Sequence, residues 1–460
     1  MRKKSYLKYI ITIILFLLVA VGIYVFFLGK SKPEIYFQQE AEESKIYWNL
    51  KKELTVDILS SRKIASFEAS LNIKESGEKI SLDSKLLNED STTGIYTYLI
   101  FPAKGNKQNI KTAELQIEVQ DDNRINHLLN EKSIKSIDIV IDKVAPKVEI
   151  LSNSYSIKQG GSAILVAKIE DENLKDYFVT FNDEVVFEMF PFEKEGYFVS
   201  IVTWPIDIKE FKGINIDSVD KAGNKTIQRV PFYIQSFNEK IDKLKISDNF
   251  IHSVSKNVLE MSNLDIPSTS EEIFIKTNSE LRNINLKTIR NVVIENFNQD
   301  PVLFNIKPFI RMKGAKTFAR FGERRHYYYN DVKIDEAWHL GMDWASIKHA
   351  NIYSSNKGRV IFKDYLGIYG ESIIIDHGFG LASLYAHTSS QNVALGDMVE
   401  AGAHIANTGS TGAVFGDHLH FGILIQGIEA NPNEWLDAKW IDENIINIIY
   451  NAKEKIKGVK

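Results

Sequence analysis

From about residue 33 to residue 144, apolar and polar positions alternate along the chain. Phe67, Ala69, Leu71 and Ile73 fall on one side, and Ser66, Glu68, Ser70 and Asn72 on the other. Leu115, Ile117 and Val119 repeat the pattern, as do Ile137, Ile139 and Ile141. A period of two, broken by polar turns, predicts short antiparallel strands stacked as a β-sandwich over 33–145. Proline in Asp142-Lys-Val-Ala-Pro146 ends strand pairing and marks the boundary. A second β-sandwich is expected over 146–235, with strands at Ala163–Ile169, Tyr197–Trp204 and Ile227–Ile234 and turns at Gly160-Gly161 and Ala222-Gly223-Asn224.

The pattern then changes. Residues 236–305 are rich in Asn, Lys, Glu and Ser. Ser268 with Glu271, or Thr269 with Glu272, has the spacing of a capping box that opens a helix. One to three linking helices are expected here, and a helix in this stretch can also cover a neighbouring groove. From 306 to 440 short apolar runs return between glycine-rich turns, with strands at Arg359–Phe362, Ser372–Asp376, Leu381–His387 and His418–Ile425. Residues 441–460 read as a tail. The fold class is therefore mainly β.

At the amino terminus, Tyr9 to Gly29 is a run of uncharged, mostly apolar residues. A helix needs about 20 such residues to cross a bilayer. Arg2, Lys3, Lys4 and Lys8 precede the run, and Lys30 and Lys32 follow it. That bias keeps the N-terminus cytoplasmic and sends the rest of the chain across the membrane. A signal peptide has a shorter apolar core and a small-residue cleavage site. Here the run ends on bulky Tyr24-Val-Phe-Phe-Leu28, so 1–32 is expected to be a retained single-pass anchor.

Charge and composition narrow the chemistry. The net charge of -4 lacks the basic excess of a nucleic-acid binder. With no cysteine, disulfides, thiolate metal sites and cysteine nucleophiles are excluded. Of the 10 histidines, all but His127 and His252 lie between His326 and His420. Histidine ligates metals and moves protons near neutral pH, so the chemistry is expected there.

Three motifs occupy that stretch: His339-Leu-Gly-Met-Asp343, Leu384-Tyr-Ala-His387, and His418-Leu-His420 within Gly416-Asp-His-Leu-His-Phe-Gly422. Positions i and i+2 of a strand face the same way, about 6–7 Å apart, so His418 and His420 project together while Leu419 and Phe421 point into a core. Two imidazoles on one face are costly to bury unless they bind something. His339 and Asp343 are close enough in sequence to reach one metal. Two histidines and a carboxylate, with room for water, are a catalytic zinc set, and nitrogen and oxygen donors suit that ion. Each motif alone is compatible with a structural role; together they point to a metal site. No HExxH helix is present, which excludes thermolysin-type chemistry, and no GxSxG elbow supports a covalent nucleophile.

HLGMD, LYAH and GDHLHFGI together resemble the zinc endopeptidases of the lysostaphin and LytM type, family M23. The resemblance covers about 304–435, including Phe321-Gly-Glu-Arg-Arg325 and Ile373-Ile-Ile-Asp-His-Gly-Phe-Gly380. It implies a compact antiparallel β domain with a groove over the sheet, one zinc ion, and cleavage of peptide bonds in peptidoglycan stems or cross-links. By motif position it implies His339, Asp343 and His420 as metal ligands and His387 and His418 as the catalytic pair. Asp417 stands where the family commonly has proline, and Gly422 where it often has glutamate. Neither is an implied ligand. DKVAPKVEI and DKAGN similarly resemble bacterial immunoglobulin-like repeats, which makes the two β modules expected spacers. His377, His349 and His404 read as structural or surface residues, and His326 as a residue at the groove or on a solvated face. The expected partners are peptidoglycan and the cytoplasmic membrane, with the peptidase outside the membrane. The alternatives are a non-cutting regulator of other wall hydrolases and a zinc peptidase acting on proteins.

Overall fold

The computed structural model describes residues 3–28, 32–38, 45–90, 92–103, 110–123, 126, 131–297 and 304–458. Two compact units are formed. One comprises Met1–Ala145 with Asn173–Lys175 and Val219–Lys225; the other comprises Pro146–Glu172, Asp176–Ser218 and Thr226–Lys460.

The first unit opens with a helix, Lys3–Leu28. Its residues from Tyr9 to Ile23 are exposed and nearly all apolar. Among the described residues, no helix is long and apolar enough to cross a membrane. Part of the expected 9–29 span lies outside the described side chains. Two sheets follow. One orders Glu34–Phe37, Leu54–Leu59, Ile95–Ile100 and Ser84–Asp90; the other orders Lys45–Trp48, Ser133–Ile141, Thr112–Asp121, Ile64–Ile73 and Lys79–Leu82. They share one core, in which Val56 and Ile58 from the first sheet join Leu71, Leu115, Ile117 and Val119 from the second. The alternating residues are thus the ones that pack. Lys45–Trp48 departs from the antiparallel expectation by pairing parallel with Ser133–Ile141.

Residues 147–235, which apart from 173–175 and 219–225 belong to the second unit, form strand pairs around Ser162–Glu170 and Tyr197–Thr203. The single strand expected at Ile227–Ile234 is instead two, Lys225–Arg229 and Tyr233–Gln235. Pro231 lies between them and has no N–H to donate to a ladder. This module packs on the last domain. Gln426 Nε2 donates to the Glu188 carbonyl at 3.0 Å while its Oε1 accepts from the Glu188 N–H at 2.7 Å. Glu434 Oε2 accepts from the Ser162 N–H at 2.7 Å, and Trp435 Nε1 donates to Ser162 Oγ at 3.1 Å. The expected tail also folds. Helix Asn447–Lys457 buries Ile448 and Ala452 and lies on strands Lys147–Asn153 and Ser162–Glu170.

The stretch expected to hold one to three linking helices begins with a strand, Lys240–Lys245, parallel to Glu323–Tyr329. Its apolar residues Ile241 and Leu244 are three apart and fall on opposite faces of the strand, so no period-two signal marked it. Helical segments then run over Asp248–Met261 and Ser270–Glu295. The capping box closes at Thr269: its Oγ1 accepts from the Glu272 N–H, and Glu272 Oε2 accepts from the Thr269 N–H.

The last domain is built on a sheet ordered Lys316–Ala319, Met342–Ala345, Leu419–Ile425, Leu381–Ala386, Glu371–Asp376, Gly358–Tyr365 and Met398–Val399, with Ile428–Ala430 added to Leu419–Ile425. Neighbouring strands are antiparallel. Beneath it Phe421 is fully buried against Trp344, ring centroids 4.9 Å apart, and Tyr385 at 5.5 Å. Each such burial contributes about 1.5–3 kcal/mol. That apolar floor fixes the strands whose opposite face carries the polar residues.

Candidate metal centre

Strand register brings the motifs together. Met342–Ala345 pairs with Leu419–Ile425 so that Asp343 lies across from His420. On the other side of Leu419–Ile425, Ala386 is the partner of His420, so His387 emerges beside it. His339 follows strand Val332–Trp338 and turns back to the same point through Leu340-Gly341.

The resulting distances are short. His339 Nε2 is 3.0 Å from Asp343 Oδ1 and 3.3 Å from His420 Nδ1. His420 Nδ1 is 3.0 Å from the same Asp343 oxygen. All three residues are buried, and one ligand atom from each lies within 4.8 Å of the others. Donors bound 2.0–2.1 Å from a zinc ion at tetrahedral angles would be about 3.3 Å from one another, close to this spacing. The hydrogen bonds agree. His339 Nδ1 lies 2.9 Å from the Arg320 carbonyl and, donating there, leaves a lone pair at Nε2 in the neutral ring. That lone pair faces a carboxylate oxygen and a second imidazole nitrogen, an arrangement that a cation lying among them would satisfy. His420 Nε2 is buried without a hydrogen-bond partner. These residues fit a divalent metal with nitrogen and oxygen preference.

Electrostatics follow from the same crowding. Burial alone would raise the Asp343 carboxyl, but the imidazoles of His339, His418 and His420 packed against it hold it well below the usual range. Burial pushes His420 down to about 4. Burial, then the charges of His418 and His420, lowers His387 well below its ordinary value. His418 is raised despite its burial, because it faces Asp343.

His387 and His418 stand next to the triad with ring centroids 4.9 Å apart, and His387 is 5.8 Å from His420. His387 Nδ1 lies 2.8 Å from the Thr411 carbonyl, and His418 Nδ1 2.8 Å from that of Gly416. Donation there leaves Nε2 of His387 free, while Nε2 of His418 faces Asp343 Oδ1 at 3.6 Å. His387 has φ 62°, in the left-handed region that non-glycine residues seldom adopt. Its N–H is held by the Tyr369 carbonyl at 2.9 Å. The neighbouring turn at Gly412 has φ 81°, and a methyl group there would sit 2.5 Å from the Ile368 carbonyl oxygen. Only glycine lets this loop close over His387.

The five residues line a cavity of about 550 Å³, within the range of ligand sites. Its other wall is the helical segment: Phe250, Ser255, Phe274, Thr277, Asn278 and Arg282. Phe250 stacks on Phe415 at 4.3 Å. The linking helices therefore cover the groove, as one reading of 236–305 allowed.

The remaining histidines go elsewhere. His377 is fully buried between the Lys357 carbonyl at 2.6 Å and Ser383 Oγ at 2.8 Å, and burial lowers it to about 4. His326 faces Glu336 at 3.3 Å, away from the residues that line the cavity. His349 and His404 bond to nearby turn and strand groups. The sequence offered Arg325 only as part of the Phe321–Arg325 run and as a basic residue that could meet an anionic wall peptide, and gave no role to Tyr369; in the structure Arg325 donates to Asp343 Oδ2 at 3.1 Å, and the ring of buried Tyr369 is 5.5 Å from His420. Nothing in their spacing from the histidines marks them.

Residues 337–432 match the model of peptidase family M23. The chain is 34% identical over 129 residues to the DD-carboxypeptidase/endopeptidase Mpg of Neisseria meningitidis, covering 28% of each chain. It is 35% identical over 115 residues to the murein hydrolase activator EnvC of Escherichia coli, covering 25% of this chain and 27% of that one. The matched part thus spans under a third of these relatives. Among solved structures, the catalytic domain of lysostaphin from Staphylococcus simulans aligns with 26% of this chain and 92% of its own, at 25% identity and a TM-score of 0.23.

Proposed function

We propose that this chain, which carries a peptidase family M23 domain, is a membrane-tethered zinc endopeptidase that hydrolyses peptide bonds of peptidoglycan. The observation that carries the reading is the convergence of His339, Asp343 and His420 within 4.8 Å, with two further imidazoles beside them. In this reading His339, Asp343 and His420 hold one zinc ion. Bound there, zinc lowers the pKa of its water to about 7 and polarises a carbonyl.

The chain's own groups do the rest. His387, with Nδ1 committed to the Thr411 carbonyl, presents a free Nε2 to accept a proton. His418, whose ring is 4.9 Å from that of His387 and whose protonated form Asp343 favours, can donate from Nε2 to an oxygen that gains negative charge or to the leaving amine. Asp343 stays ionised because imidazoles and a guanidinium surround it. The apolar floor and the helical wall limit water. The likeness to a DD-carboxypeptidase/endopeptidase supports peptide bonds of the wall as substrate. The apolar run Tyr9–Gly29, much of it within helix Lys3–Leu28, supports a single-pass anchor with the peptidase outside the membrane.

A second reading, a regulator of wall hydrolases, draws on the likeness to the murein hydrolase activator. The complete set of five side chains favours cleavage. The test is incubation of detergent-solubilised protein with purified sacculi, with and without chelator, followed by mass analysis of released muropeptides. New peptide termini that vanish with chelator are expected. Binding to sacculi without any cleavage would sink the enzymatic reading and leave the regulator.

A further inference from the structure

We infer that Arg325 is a positioning residue of the metal centre: its guanidinium occupies Oδ2 of Asp343 and so confines this carboxylate to one-oxygen donation through Oδ1. The inference rests on the zinc reading above. The two oxygens of Asp343 are divided between different partners. Oδ1 is 3.0 Å from His339 Nε2, 3.0 Å from His420 Nδ1 and 3.6 Å from His418 Nε2. Oδ2 is 3.1 Å from Arg325 Nη2.

The guanidinium is fixed rather than floating. Arg325 is an interior residue of strand Glu323–Tyr329, flanked by Asp242 of one neighbouring strand and Ala337 of the other. Its side chain is 22% exposed and lines the same cavity. Its neighbour Arg324 points elsewhere, to Glu336 and over the Trp338 ring at 4.7 Å. Only the second arginine of the pair reaches the centre.

The consequence is a matter of coordination number. A carboxylate with both oxygens free can grip a metal through two atoms, which fills a position that water and substrate need. A cation held against Oδ2 prevents this. Arginine suits the task, because it stays charged at any physiological pH and its planar fork holds direction. Groups behind a ligand commonly set its orientation, and removing one changes metal affinity or activity about 10–100-fold.

The experiment uses the full-length protein loaded with cobalt(II), whose visible spectrum reports coordination number. Arg325→Met is expected to take up one equivalent of cobalt but to lose the intense four-coordinate absorption for a weaker, higher-coordinate band. Its kcat on muropeptides should fall at least tenfold with KM little changed. Arg325→Lys, which returns a cation to the same place, should recover part of both. Should Arg325→Met fail to fold by circular dichroism, Arg325→Leu, which likewise offers Oδ2 no donor, is read in the same way. A wild-type spectrum and kcat in the Met or Leu variant would overturn the inference while leaving the zinc reading intact. Wild-type protein that binds neither cobalt nor zinc would overturn both.

Discussion

Gly341 sits inside the HLGMD motif, and its replacement by alanine tests the packing of the metal centre directly. A methyl group at this position would lie 2.5 Å from His420 Nε2, 2.6 Å from His420 Cε1 and 2.7 Å from the Phe421 carbonyl oxygen. Ordinary contacts begin near 3.4 Å, so the imidazole or the backbone must retreat by about 0.9 Å. Metal–ligand bonds tolerate only about 0.2 Å. The Phe421 carbonyl belongs to a strand paired on both sides, so the ring of His420 is the part that moves. Overpacking of this kind costs about 1–3 kcal/mol in the fold. The larger effect is on the ligand, where a loss of orientation weakens metal binding about 10–100-fold. At a fixed zinc concentration well above Kd, a hundredfold loss removes about 2.7 kcal/mol of zinc-linked stability. Competition with a chromogenic chelator gives the affinity, and melting with and without zinc gives the linked stability. Gly416→Ala is the control, since a methyl there meets nothing within 4 Å. If Gly341→Ala bound zinc within threefold of wild type, the reasoning from close contact would be wrong.

Other tests address separate parts of the structure. His387→Ala should keep zinc but lose most turnover, because its ring stands beside the three ligands rather than among them; equal rates in a muropeptide assay would remove it from the catalytic pair. Burial raises the Glu429 carboxyl to about 7, and its Oε1 has no hydrogen-bond partner. The folded state therefore prefers the protonated form. The corresponding stability is complete below about pH 4.5, the unfolded value, and is lost as pH rises through about 7. Glu429→Gln should abolish this slope, gaining about 3 kcal/mol over wild type at pH 8 relative to pH 4.5; urea melts at the two pH values that shift in parallel for both proteins would refute it. Phe250→Ala removes the stack on Phe415 that closes the helical wall over the cavity. Cleavage of intact sacculi should rise severalfold while that of a short soluble muropeptide changes little. An unchanged ratio of the two rates would show that the wall does not limit access.

Much of this was legible in the chain. Period-two alternation over Phe67–Ile73 and Leu115–Val119 specifies strands with one buried face, because side chains in an extended backbone must alternate. The HLH spacing placed His418 and His420 together for the same reason. Where local chemistry was explicit, as at Thr269 and Glu272, even the helix start could be read. The failures had physical causes as well. Lys240–Lys245 became a strand because a partner from far along the chain, Glu323–Tyr329, was there to pair with it. The last residues became a helix because strands Lys147–Asn153 and Ser162–Glu170 gave it a surface on which to bury Ile448 and Ala452. No local signal carries either partner.

The sequence by itself determined which residue types stand at which strand positions, and so which side chains were available for chemistry. The tertiary structure decided which of them meet. That Asp343 lies across from His420, that Arg325 and not Arg324 reaches its second oxygen, and that Gly341 must have no side chain all depend on register and on contacts between segments tens of residues apart. Pairing distances of 3.0–3.3 Å between His339, Asp343 and His420 arise only when the apolar floor under Phe421 locks those strands in place. Local preference cannot encode them, because the energy that sets them is released only when the whole sheet is assembled.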